Sequence, residues 1–277
     1  NLSLNIPKTV CIALWPAPLA RARQVIQAAC PPWQDIRVSD HGKYLGYFVG
    51  PGRSDLAWRA AGEKMLKRSA AWNWPSLGLF YSTTAYNTYV ASLAGYVAQL
   101  DNYPPWFMDI EAAVLRRAAP GPYRWAMPED LFRLRDHFGQ VANFRDVRTT
   151  ALAAKVRVTV FENMAHGGLD IRNRATALRA AINGTSRPER LCWASWLEQN
   201  PLFTLQEARE ESIRLGLRPR SVMEQIAGST PRPWPHATHN RIRRLFQSTL
   251  ATRLREQSSY NPQERMRCKL RRWQLPG

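Results

Sequence analysis

The sequence predicts an α+β fold, predominantly α-helical, with a small sheet at its N-terminus. Two patterns lead there. The first fifty residues carry short β-prone runs between turn signals, whereas after Gly52 apolar residues recur at helical spacing with few interruptions. A third observation makes a packed core affordable: 45% of the 277 residues are hydrophobic, which argues against wholesale disorder.

Thr9 to Leu14 reads as a strand covered on both faces, with nothing before it to pair with. Ala22, Val25, Ile26 and Ala29 share one helical face, and Pro31-Pro32 stops that helix. Asp35 to Val38 alternates like a short strand, His41-Gly42 signals a turn, and Lys43 to Val49 reads as one further strand ended by Gly50-Pro51-Gly52. Leu56 to Trp72 is an amphipathic helix. Tyr86, Tyr89, Val90, Leu93, Tyr96, Val97 and Leu100 follow the spacing of one regular helix face. Further helices are expected at 105–118, 128–138, 144–163, 170–183, 187–199, 204–215, 219–227, 236–257 and 261–273. Ser69 to Leu100 contains no charged residue, but Asn, Gln and Pro75 within it favour a buried helix over a membrane span.

Formal net charge is +18, from 39 Lys and Arg against 21 Asp and Glu. Such a surface attracts polyanions, nucleic acid first and anionic membrane second. The tail concentrates the excess: Arg241, Arg243, Arg244, Arg253 and Arg255 fall on one expected helix, and Arg265, Arg267, Lys269, Arg271 and Arg272 on the next. Eleven Trp, several beside Pro, read as packed corners between helices, with base stacking as the other reading. The four Cys are far apart, without zinc-ligand spacing, which implies reduced thiols in an intracellular compartment, nuclear or cytoplasmic. Glu129-Asp130 and Glu210-Glu211 are adjacent acidic pairs, expected as solvated faces or first-turn dipole partners rather than metal ligands.

Two stretches stand out by their order: Leu4-Asn5-Ile6-Pro7-Lys8-Thr9 before the first strand, and Lys43-Tyr44-Leu45-Gly46 before a helix with Trp58, Lys64, Lys67, Arg68 and Trp72 following. Together they resemble the end of the palm domain of non-LTR (LINE-type) retrotransposon reverse transcriptases. In that family an Asn-x-x-Lys-Thr run follows the catalytic aspartate turn, and a Lys-Tyr-Leu-Gly strand leads into a basic helix. The Tyr86 to Leu100 segment is similar to the thumb helix that comes next. The resemblance covers roughly residues 1 to 105 and becomes diffuse beyond.

The resemblance implies residues 1–52 as the end of a palm with a small residual antiparallel sheet, 53–119 as a helical thumb, and 123–277 as a basic helical extension, joined through Pro120-Gly121-Pro122. It implies the C-terminal part of an RNA-directed DNA polymerase, whose metal-binding aspartates would lie ahead of Asn1. No catalytic residue is then expected in this chain. Lys8 would be an accessory general acid toward the leaving pyrophosphate. Lys43, Tyr44, Gly46, Lys64, Lys67, Arg68, Arg241, Arg243, Arg244, Lys269, Arg271 and Arg272 would contact nucleic acid, with Gly46 letting another chain approach closely. The implied partners are RNA, an RNA–DNA duplex and the polymerase's N-terminal portion; Mg2+ is expected only in the complete polymerase.

The competing reading is a non-enzymatic helical RNA-binding protein, organellar or ribosome-associated. A third is a decayed element without selected function. The polymerase reading implies a sheet with an open edge and arginines lining a groove. The RNA-binding reading implies that the first fifty residues fold as a closed unit.

Overall fold

The computed structural model describes residues 4–13, 18–165, 171–184, 200–216, 248–254 and 256–274. These are predominantly helical, with two small two-stranded sheets. Strand β1 (Val10–Ile12) lies parallel to β2 (Arg37–Ser39), pairing Val10 with Arg37, Cys11 with Val38 and Ile12 with Ser39. Parallel strands need a crossover, and helix α1 (Leu19–Ala29) supplies it before Pro31-Pro32 stops the chain. Ala13, Ala22, Ile36 and Val38 form a small core beneath this unit. Each strand of the pair has an edge without a partner among the described residues.

The expected antiparallel sheet is therefore only half of what forms. Strands β3 (Gly42–Tyr44) and β4 (Tyr47–Val49) are antiparallel, with Tyr44 opposite Tyr47. This corrects the single strand expected over Lys43 to Val49. Leu45 (φ 48°) and Gly46 (φ 87°) are both left-handed and make a two-residue turn, whose twist suits the flanking strands.

The main core centres on α2 (Leu56–Ala70) and α4 (Phe107–Ala118). Phe107, Val114, Leu115 and Ala118 of α4 are buried one or two turns apart, and Glu111 occupies the same stripe. Gly62 allows the two helices to close: a Cβ there would lie 2.7 Å from the Ile110 Cδ1 atom. Trp58 packs edge-on against Phe107 with ring centroids 4.8 Å apart. The same core takes in Tyr47 of the hairpin and runs on to Ala151 and Ala154, so it joins residues on both sides of Pro120-Gly121-Pro122 in the sequence.

The charge-free stretch is not one regular helix. Helix α3 (Trp74–Ala85) passes into a π turn (Tyr86–Val90) and then two 3-10 turns (Ala91–Ala94 and Val97–Gln99). The wide π turn shifts the inward set to Tyr86, Val90, Ala94 and Val97, so Tyr89 and Tyr96 face solvent instead of the core. Among the described residues no helix is long and apolar enough to cross a membrane.

Beyond α4 the expected 128–138 helix is broken into α5 (Pro128–Leu131) and α6 (Leu134–Phe138). The break is at Arg133, which turns inward beneath the Tyr260 ring, 5.2 Å from its centroid. Helices α7 (Val147–Ala165), α8 (Ile171–Asn183), α9 (Pro201–Arg214) and α10 (Pro262–Gln274) match expected segments, and residues 248–254 are helical. Asp146 caps α7 by accepting from Arg148 N at 2.8 Å, and Asn200 caps α9 through Leu202 N at 3.0 Å. The expected helices 187–199 and 219–227 lie outside the described residues, as does most of 236–257.

Candidate nucleic-acid interface

Four of the ten Lys and Arg among the first hundred residues, Arg59, Lys64, Lys67 and Arg68, lie on α2. Lys64, Lys67 and Arg68 are exposed, while Trp58, Met65 and Ser69 on the opposite face are buried; Glu63 is the helix's one acid. Charges placed toward the C-terminus also complement the helix dipole. Arg68 Nη1 donates to the Tyr89 carbonyl at 2.9 Å, which ties the basic edge to the π turn.

Helix α4 brings a second set alongside. It runs in the same direction as α2, so the two C-termini lie together: Arg117 Nη1 donates to Leu66 O and to Ser69 Oγ, both at 3.3 Å. Arg116, the neighbouring residue, lines a small cleft with Arg124 and Trp125. Lys269 of α10 donates to the Arg124 carbonyl, and burial lowers its pKa. Arg117 thus sits at the C-terminal turn of α2 that carries Lys67 and Arg68, Arg116 lines a cleft with Arg124, and Lys269 ties α10, whose Arg271 and Arg272 are exposed, to the Arg124 backbone. The result is a basic ridge on the outside of the bundle.

The ridge unites five expected contact residues, Lys64, Lys67, Arg68, Arg271 and Arg272, with three that sequence reasoning passed over, Arg116, Arg117 and Arg124. Their signal was present, since an Arg-Arg pair ends the 105–118 helix. Lys269 is also expected as a contact, yet its ammonium is spent on backbone carbonyls. Lys43 and Tyr44 sit on the hairpin away from α2's C-terminus, where Tyr44 and Leu45 are among the most exposed apolar side chains. Lys43 lies 5.8 Å from the centroid of Phe48. Gly46 (φ 87°) serves the hairpin turn, and a Cβ there would find only Tyr96 within 4 Å. Lys8 is exposed at the end of a 3-10 turn (Ile6–Lys8) just before β1. Arg241, Arg243 and Arg244 lie outside the described residues.

The acidic pairs divide. Glu210 and Glu211 are surface groups that accept from Gln206 and Arg214. Glu129 is exposed, and Asp130 takes the other expected role, an acid in the first turn of α5. It is buried, caps Met127 N at 2.7 Å, accepts from Tyr260 at 2.7 Å and pairs with Arg265. Among the described residues no three His, Cys, Asp or Glu side chains converge as a metal ligand set.

A groove of about 1370 Å³ is bounded by α4, α7, α9 and the 248–254 helix. Its charge is balanced: Arg135, Arg145 and Arg148 are interleaved with Asp109, Asp136 and Glu211. A polyanion gains little from such a wall. The groove is therefore not the arginine-only wall expected of a cationic grip, although Arg116 and Arg124 of the ridge also belong to its lining. At the groove's floor Glu111 is buried and accepts from Val147 N at 2.7 Å, Tyr103 Oη at 3.2 Å and Tyr86 Oη at 3.4 Å. Burial, and then the Asp146 carboxylate nearby, push its pKa up to about 8. Burial likewise lowers Lys155, on the groove wall, to about 8.

No protein-family model, curated protein or solved structure matches this chain.

Proposed function

We propose that the chain binds template–primer nucleic acid as the C-terminal part of a LINE-type RNA-directed DNA polymerase and does not polymerise alone. The observation that carries this reading is the ridge, where side-by-side C-termini of α2 and α4 pool Lys64, Lys67, Arg68, Arg116 and Arg117. Exposed cations of this kind hold phosphates without reading bases. Of the two sheets, the antiparallel β3–β4 hairpin agrees with the expected palm sheet, whereas the parallel β1–β2 pair departs from it.

The small separate core of Ala13, Ala22, Ile36 and Val38 favours the second reading, a helical RNA-binding protein whose first fifty residues close on themselves. Titrating the purified chain with an RNA–DNA hybrid, a single-stranded RNA and a structured RNA hairpin separates the two. The polymerase reading expects the hybrid to bind at least as tightly as either RNA, with no primer extension when Mg2+ and nucleotides are added. Preference for the structured RNA supports the second reading, and failure to bind any of the three overturns both.

A further inference from the structure

We propose that Tyr89 is a stacking site for an unpaired nucleobase at the edge of the basic ridge, an inference that rests on the polyanion reading above. Three rings form a ladder here. Trp74 is buried and fixed by its Nε1, which donates to Ser69 O at 2.6 Å. Trp72 lies against it, centroids 5.7 Å apart and planes inclined by 31°. Tyr89 lies against Trp72 at 5.5 Å and 30°. Both pairs are tilted, closer to face-on than to edge-to-face packing. The ladder therefore begins in the core and ends on a ring that is 50% exposed.

The core gains little from leaving that ring in solvent. Tyr89 belongs to a 32-residue stretch, Ser69 to Leu100, with no charge of its own. Yet Tyr81, Tyr89 and Tyr96 of this stretch all face outward. A flat, rigid, uncharged ring surface is what a nucleobase stacks on, whatever its identity. Position supplies the other half of the argument. Arg68, anchored to the Tyr89 carbonyl, places the positive end of α2 beside the ring, with Lys67 and Arg117 on the same helix ends. A strand whose phosphates lie along these cations has a base within reach of Tyr89. The ridge thereby gains a contact to an unpaired base beside the duplex that its cations hold through phosphates.

The test compares two oligonucleotides of equal length and charge, one carrying bases and one abasic, against the wild-type chain, Tyr89→Ala and Tyr89→Phe in low salt. Stacking predicts that wild type binds the base-bearing strand about tenfold more tightly. Tyr89→Ala removes that ratio and leaves abasic binding unchanged, while Tyr89→Phe keeps it. Equal binding of the two strands by wild type overturns the proposal and leaves the polyanion reading intact, as does a ratio that survives Tyr89→Ala. If neither strand binds, the polyanion reading falls and this inference falls with it.

Discussion

Arg265 reaches back across 135 positions of sequence to Asp130: its Nε donates to Oδ1 at 3.1 Å, and Nη2 pairs with Oδ2. The same guanidinium donates to Trp125 O at 3.1 Å. One buried carboxylate thus fastens the last described helix to the middle of the chain and sets where the basic end of α10 emerges. Lys269, donating to the Arg124 carbonyl one turn further on, holds the same helix beside Arg124.

Removing the two partners has unequal effects. Arg265→Ala leaves Asp130 buried with only Tyr260 and Met127 N as donors, and such an orphaned charge costs on the order of 3 kcal/mol. Asp130→Asn keeps a cap on Met127 and lets Arg265 swing to water, costing on the order of 1 kcal/mol. Urea denaturation of both variants checks the order. Amide exchange across 262–274 should accelerate in each.

Glu111 gives stability a pH dependence. In the unfolded chain its carboxyl ionises from the ordinary 4.5, whereas the folded one keeps its proton up to about 8. The unfolded state therefore releases a proton that the folded state retains, and stability falls as pH rises across that window. The contribution is whole below 4.5 and lost above about 8. Glu111→Gln should flatten this decline, gaining on the order of a few kcal/mol at pH 8 relative to wild type and little at pH 4. Thermal melts at several pH values measure it. A wild-type profile that is flat between pH 5 and 8 contradicts this account of Glu111.

Two glycines near the hairpin should respond differently to Ala. At Gly46 the φ of 87° strains an L-residue but the space is open, so Gly46→Ala costs about 1 kcal/mol. At Gly50 the φ is 121° and a Cβ would lie 2.4 Å from the Asp40 carbonyl, a backbone atom that cannot step aside. Gly50→Ala should cost about 3 kcal/mol or more. Chemical denaturation of the pair separates conformational strain from collision.

The legible features were those written in local spacing. The basic face of α2, the apolar stripe of α4 and the outline of α10 follow directly from helical periodicity. The hairpin was not legible, because Leu-Gly is not among the residue pairs that usually announce a two-residue turn and Leu45 adopts a conformation that leucine seldom takes. The parallel pairing of β1 with β2 left no mark in either strand, since short apolar runs look alike in both kinds of sheet. Tyr89 satisfied the expected inward spacing and still faces solvent, because the π turn adds a residue to the local repeat. Asp130 was legible as a first-turn acid of α5, but its burial was not. Its burial depends on an arginine and a tyrosine more than a hundred residues away, which no window around Glu129-Asp130 contains.

The ridge is tested most directly by the salt dependence of hybrid binding in wild type and in the double variant Lys67→Gln/Arg116→Gln, whose side chains are exposed and outside the core. If six to ten phosphates are neutralised, wild-type affinity should fall roughly a thousandfold or more between about 50 and 200 mM salt. The variant's slope of log affinity against log salt should be shallower by about two. A flat response in wild type, or an unchanged slope in the variant, would contradict the claim that this outer surface grips nucleic acid.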